Sequence, residues 1–143
     1  MNYTIAHIVQ FTGLTDRTIR NYISSGILAG EKTNGTWQFT PEQVEHFIRH
    51  PSVRPSIIAK KNALIYDFLL DTHKTDSQIC MILDLPNRNE KDVSEFFCNN
   101  ICNGDYHNLQ FSFDSLHGLP RVIIKGDNSE VLRLVNIYYN ELA

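Results

Sequence analysis

Apolar positions along the chain recur in two rhythms, and the changes of rhythm divide it into elements. Ile5, Ile8 and Val9 follow helical spacing behind Thr4, a capping residue type, and Thr12-Gly13-Leu14 breaks the run. Ile19, Tyr22 and Ile23 then repeat at i, i+3 and i+4. Thr15 is placed as N-cap, Asp16 lies in the first turn where the helix dipole favours an anion, and Gly26 is placed as a left-handed stop. The other side of this second helix carries Arg17, Arg20, Asn21 and Ser24 at i, i+3, i+4 and i+7. Ile27-Leu28-Ala29 and Trp37-Gln38-Phe39 read as short strands on either side of Asn34-Gly35, a dipeptide suited to a two-residue hairpin turn. Thr40-Pro41-Glu42-Gln43 combines an N-cap, a proline at the first helical position and Gln at N3. The spacing predicts a helix burying Val44, Phe47 and Ile48, ended by the stretch from His50 to Pro55.

Beyond that stretch the pattern predicts a helix from Ser56 to Asp71, apolar at Ile57, Leu64, Ile65, Phe68 and Leu69. Ile79 to Leu85 is apolar at both alternating sets of positions, as in a strand covered on both faces. Glu90 to Asn103 suits a helix with Val93, Phe96, Phe97 and Ile101 inward and Gly104 after it. Leu109, Phe111 and Phe113 alternate with polar residues as a half-buried strand does, and His117-Gly118-Leu119-Pro120 turns the chain into Val122-Ile123-Ile124. Asn128 or Ser129 opens a last helix carrying Val131, Leu132, Leu134, Val135 and Tyr138. The order, α then βαββα, predicts an α+β domain: a three-stranded sheet with helices on one face, a cut-down ferredoxin-like layer whose strand order stays open.

Composition agrees with a folded chain, because 42% hydrophobic and 20% charged residues lie far from the disordered regime. The net charge of −3 announces no nucleic-acid or membrane partner for the chain as a whole. Split near Ser56, however, the first part has five Lys/Arg against four Asp/Glu and the rest eight against twelve, so the acidic excess is C-terminal. Met1-Asn2-Tyr3-Thr4 has no signal-peptide character, and no apolar run is long enough for a membrane span, so a cytoplasmic location and no membrane partner are expected. Three cysteines, Cys80, Cys98 and Cys102, disfavour a disulfide framework, and reduced thiols are expected.

The stretches "TIAHIVQFTGLTDRTIRNYISSGIL" and "NGTWQFTPEQVEHFI" resemble the winged helix-turn-helix of the MerR superfamily, including its excisionase-like domains. The resemblance covers roughly the first third of the chain, and Arg17-Thr18-Ile19-Arg20 with Tyr22 and Gly26-Ile27-Leu28 is its most specific part. It divides the chain into an N-terminal, all-α winged helix-turn-helix with a small β-wing (1–50), a Pro-containing linker (51–55) and an α+β domain for dimerisation or ligand sensing (56–143). In such domains the second helix enters the major groove, which implies DNA contact by Thr15, Arg17, Thr18, Arg20 and Asn21. Arg matches phosphate oxygens or guanine O6/N7, Asn matches adenine N6/N7, and no acid on the stripe repels the backbone.

Two departures from the family pattern stand out. The wing has Thr36-Trp37-Gln38 where an arginine is usual, and Asn21 replaces the aromatic after Arg20. Trp37 then either stacks on a sugar or plugs the wing against the core, and phosphate contact from the wing falls to Lys32 and backbone N–H groups around Thr36. The segment from Ser56 to Asp71 is short for the coiled coil by which such regulators usually dimerise, so a homodimer would form through the C-terminal domain. The implied partners are double-stranded DNA and an unknown small-molecule effector.

Other chemistry finds little footing. Cys98 and Cys102 at i, i+4 could bind metal with Cys80 or His107, but their interleaving with Phe97 and Ile101 favours small buried residues, and no metal site is expected. His46 and His50 share that spacing at a helix end, where a cation suits the dipole. Asp67 and Asp71 fit an exposed helical face. No nucleophile–base pair, phosphate loop or zinc-protease helix occurs, so neither catalysis nor a cofactor is expected. The leading expectation is a sequence-specific transcriptional regulator. The alternative is an excisionase-like or architectural factor with a C-terminal protein-interaction module.

Overall fold

Two threonines start helices near the N-terminus by the same reciprocal device. In the computed structural model, which describes residues 2–142, Thr4 Oγ1 accepts from the His7 N–H while His7 Nδ1 accepts from the Thr4 N–H, capping α1 (Ile5–Thr12). Thr40 and Gln43 form the same box for α3 (Pro41–Ile48), with Pro41 at its start. Between them, α2 (Asp16–Ser24) is capped by Thr15, whose hydroxyl oxygen accepts from the Thr18 N–H, and the chain leaves it through Gly26 at φ +81°. Ile8, Ile19, Leu28, Phe39 and Phe47 form the core these helices share.

The wing is shorter than the apolar pattern predicts. Its strands are β1 (Glu31–Thr33) and β2 (Thr36–Gln38), paired Thr33 to Thr36, Lys32 to Trp37 and Glu31 to Gln38. Asn34 and Gly35, both at positive φ, make a two-residue turn that sets Thr33 opposite Thr36, a register in which residues 27–29 would fall opposite residues 40–42 at the start of α3. Ile27, Leu28 and Ala29 are therefore not a strand, and Leu28 is buried in the helical core instead. Phe39 continues past β2 and exchanges two backbone hydrogen bonds with Tyr3, of 2.7 and 2.8 Å. The α1-α2-β1-β2 arrangement resembles a generic winged helix, so this part is α+β rather than all-α.

Pro51 to Val53 form a turn, and α4 (Arg54–Leu70) follows. The chain divides into two compact units between Asn62 and Ala63, within α4. Of the five residues expected to face a core on this helix, only Ile57 is buried. Leu64, Ile65 and Phe68 are half-buried, and Leu69 is 68% exposed, because its position lies roughly a third of a turn or more from the inward row of Ile57, Leu64 and Phe68.

The second unit is built on an antiparallel sheet of β3 (Gln78–Asp84), β4 (Gln110–Leu116) and β5 (Leu119–Asp127), in the order β3-β5-β4. His117 and Gly118, again both at positive φ, join β4 to β5. Helices α5 (Glu90–Asn103) and α6 (Asn128–Glu141) cover the face that carries Phe111, Phe113, Val122 and Ile124. The Phe97 ring lies 5.8 Å from Phe111 and 5.3 Å from Tyr138. On the other face Lys125 Nζ donates to the Leu64 carbonyl of α4 at 3.0 Å, so helices meet both faces rather than one. The strand covered on both sides is β5, with Val122, Ile123 and Ile124 buried. The apolar run from Ile79 to Leu83 is instead an edge strand whose Ile82 is 50% exposed. The tight β4–β5 hairpin and the long crossover through α5 leave the centre to β5.

Candidate nucleic-acid interface

Capping and core packing together orient α2. Ile19 is fully buried and the Tyr22 ring packs edge-on against Phe47 at 5.4 Å, which fixes the rotation of the helix about its axis. Thr15, Arg17, Arg20, Asn21 and Ser24 are consequently exposed, and Thr18 is half-exposed. Thr15 and Thr18 hydroxyls bond to each other at 2.9 Å at the helix start, so both are engaged in the cap as well as facing outward.

Arg20 departs from the sequence-based picture of an acid-free stripe. Its Nε donates to Asp16 Oδ1 at 2.6 Å, one turn earlier on the same helix, with both side chains more than half exposed. The i, i+4 spacing of Asp16 and Arg20 is the sequence signal for this pair, and Asp16 serves Arg20 as well as the helix dipole. Among the described residues no such contact holds Arg17, which projects from the first turn of α2.

On the wing, Lys32 and Thr36 are exposed and Trp37 is half-buried. The indole stacks on Phe39 with centroids 6.3 Å apart and planes 13° from parallel, and Lys32 Nζ lies 5.9 Å from the indole centroid. Trp37 thus fastens the wing to the core residue Phe39 and leaves its outer face beside a cation. No family model matches the chain, and no curated protein or solved structure matches it.

One cation beside this surface has no sequence signal at all. Lys60 of α4 packs its stem on the α1–α2 turn, where a side chain at Gly13 would meet Lys60 Cβ at 3.1 Å. Only the folded unit brings these positions together. Counted at the division after Asn62, the first unit has seven Lys/Arg against four Asp/Glu, and the second has six against twelve. The charge asymmetry is sharper than the split near Ser56 suggests, because Lys60 and Lys61 belong with the winged helix.

The thiols have a different environment. Burial pushes the Cys98 thiol far above its ordinary value, and burial also raises Cys102 and Cys80. Protonated thiols are poor ligands and nucleophiles. Among the described residues no three His, Cys, Asp or Glu side chains come together in a metal-binding group. The two imidazoles at the end of α3 make an edge-on ring contact at 6.3 Å, and His50 Nδ1 accepts from the Ser52 N–H.

The second unit has a cleft of about 640 Å³ lined in part by Asp67, Asp71, Lys74, Gln78, His107 and Lys125. Its two amines are spent on backbone carbonyls in and just after α4: Lys74 Nζ donates to those of Phe68 (2.5 Å) and Asp71 (2.6 Å), and Lys125 to that of Leu64. Asp67 lies exposed on α4 as its spacing predicts, whereas Asp71 stands just past the helix end, where its carboxylate accepts from the His73 N–H at 2.9 Å. Among the described residues, no helix is long and apolar enough to cross a membrane.

Proposed function

We propose that this chain is a cytoplasmic, non-catalytic transcriptional regulator whose MerR-like winged helix reads double-stranded DNA through α2 in the major groove. The observation that carries this reading is the outward row of Arg17, Arg20 and Asn21 on a helix whose rotation is fixed by Ile19 and Tyr22, beside a wing bearing Lys32. Arg17 and Asn21 supply base-edge donors and acceptors, while Lys32, Lys60 and the N–H groups near Thr36 contact phosphates. The positive first unit supplies the attraction that the chain's net charge conceals. The second unit, a cut-down ferredoxin-like layer, makes a homodimer, and its cleft takes a small polar effector.

The test titrates the full chain into its own upstream DNA at low ionic strength. Binding is expected, and changing Arg17 and Arg20 together to Ala should weaken it by about tenfold to a hundredfold at an unchanged melting temperature. No binding, or binding indifferent to both substitutions, overturns the assignment.

The engagement of Arg20 by Asp16 and the lack of an arginine in the wing favour a second reading, an excisionase-like or architectural factor of modest affinity. A monomer that coats several adjacent sites cooperatively would support that reading over the regulator. A dimer with one footprint would do the reverse.

A further inference from the structure

We propose that β3 is the subunit interface of this protein: two copies join their β3 edges antiparallel about Met81, making one continuous six-stranded sheet. The inference deepens the homodimer of the preceding section and rests on it for the number of copies, but it requires nothing of DNA.

Hydrogen-bond phase along β3 shows which backbone groups face away from β5. The Leu85 N–H donates to the Pro120 carbonyl at 2.9 Å and the Asn128 N–H to the Ser77 carbonyl at 3.0 Å, so residues 77 and 85 turn their backbone groups toward β5. By the alternation of an antiparallel ladder, Ile79, Met81 and Leu83 do the same. Gln78, Cys80, Ile82 and Asp84 point theirs out of the sheet. Among the described residues no other strand pairs with β3, and no hydrogen bond reaches the outward N–H or carbonyl of Cys80 or Ile82.

Sheets usually guard such an edge with a lysine, a proline, a bulge or an inward charge. The other edge, β4, carries the buried Asp114. β3 has none of these over residues 79–83, Ile-Cys-Met-Ile-Leu, and its register against β5 is unbroken. The segment is also self-complementary. With the two-fold axis at Met81, Ile79 faces the second copy's Leu83 on one side of the sheet, and Cys80 faces its Ile82 on the other. At the ends the Gln78 amide meets the second copy's Asp84, whose carboxylate is held by Arg121 at 2.6 and 2.9 Å.

A seven-residue strand edge alone falls short of the roughly 1,200 Å² that stable interfaces bury. α6 extends it. Its Tyr138 ring faces α5, 5.5 Å from Phe96, whereas Leu132 and Tyr139, two turns apart, are 44% and 50% exposed on another flank. α6 contacts both β3 and β5, and α5 contacts β5. The exposed flank is therefore the one away from α5, over the β3 edge. Joining two β3 strands brings two such flanks side by side and covers Leu132, Tyr139 and Ile82 at once.

The test is the mass of the full chain in solution at micromolar concentration without DNA, by sedimentation equilibrium. The wild type should be a dimer. Ile82→Pro removes an N–H that β5 does not use, so it should keep the circular dichroism spectrum while weakening the dimer by about tenfold or more. Met81→Cys in a Cys80→Ser background should form an intermolecular disulfide on mild oxidation, because the two sulfurs would meet across a non-hydrogen-bonded pair. A dimer indifferent to Ile82→Pro and without that cross-link overturns the β3 interface and leaves the homodimer standing. A monomeric wild type overturns both, while DNA binding keeps its own titration.

Discussion

The wing hairpin and the β4–β5 hairpin share one turn geometry and meet opposite surroundings. Asn34-Gly35 has φ of 51° and 80°, and His117-Gly118 has 54° and 76°. Both turns fix a register in which the flanking residues pair directly. Yet the wing strands are three residues long and largely exposed, while β5 is nine residues long and buries Val122, Ile123 and Ile124. The turn decides only where pairing begins. Side chains decide how far it continues and whether the ribbon becomes a core or a probe reaching into solvent.

The strongest way to break this contrast is to truncate one aromatic in each hairpin. Phe111→Ala deletes a buried ring stacked on Phe97 and should cost about 3–5 kcal/mol. Trp37→Ala deletes a half-buried indole and should cost about 1–2 kcal/mol. Native-state amide exchange read separately in each hairpin measures both, and equal losses would remove the distinction drawn here.

A smaller effect tests the shared feature. Ala at Gly35 and Ala at Gly118 each place a Cβ on a left-handed residue with open space around it, so both should lose about 1–2 kcal/mol, regardless of burial. A clear inequality between the two would mean that surroundings, not backbone conformation, govern these turns.

The smallest effect separates the hairpins by pH. Burial holds the His7 imidazole below its ordinary value, and its Nδ1 must be unprotonated to accept from the Thr4 N–H, next to the Tyr3–Phe39 bridge that anchors the wing. A base with a lowered folded pKa stabilises fully above the unfolded value, near 6.5, and loses that contribution as the pH falls from there toward the folded value. The cap should weaken by about 1 kcal/mol across that interval. His7→Gln, which keeps an N3 acceptor that cannot titrate, should flatten the dependence in the wing, and the β4–β5 hairpin should not sense it in either form.

How much of this was legible in the chain follows from how local each signal is. The caps at Thr4, Thr15 and Thr40 and the bounds of α5 are local chemistry, and they stand as read. The wing strands lie elsewhere than the apolar pattern predicts because Ile27-Leu28 is apolar for the helical core, while the register comes from Asn34-Gly35. The edge position of β3 and the central place of β5 were not legible, since an apolar run reports burial and not neighbours. At the candidate interface, the exposed row on α2 was readable from helical spacing. Lys60 was not, because its approach to Gly13 needs the assembled unit.

Asp16 gives the α2 surface a property that a tally of arginines misses. A guanidinium already held at 2.6 Å by a carboxylate of its own helix gathers few anions from solution, and in binding a phosphate it would exchange one negative partner for another. A duplex docked on this face would therefore displace fewer counterions than its cations suggest. The fall of affinity with added salt would be shallower, and replacing Asp16 by Asn should steepen it.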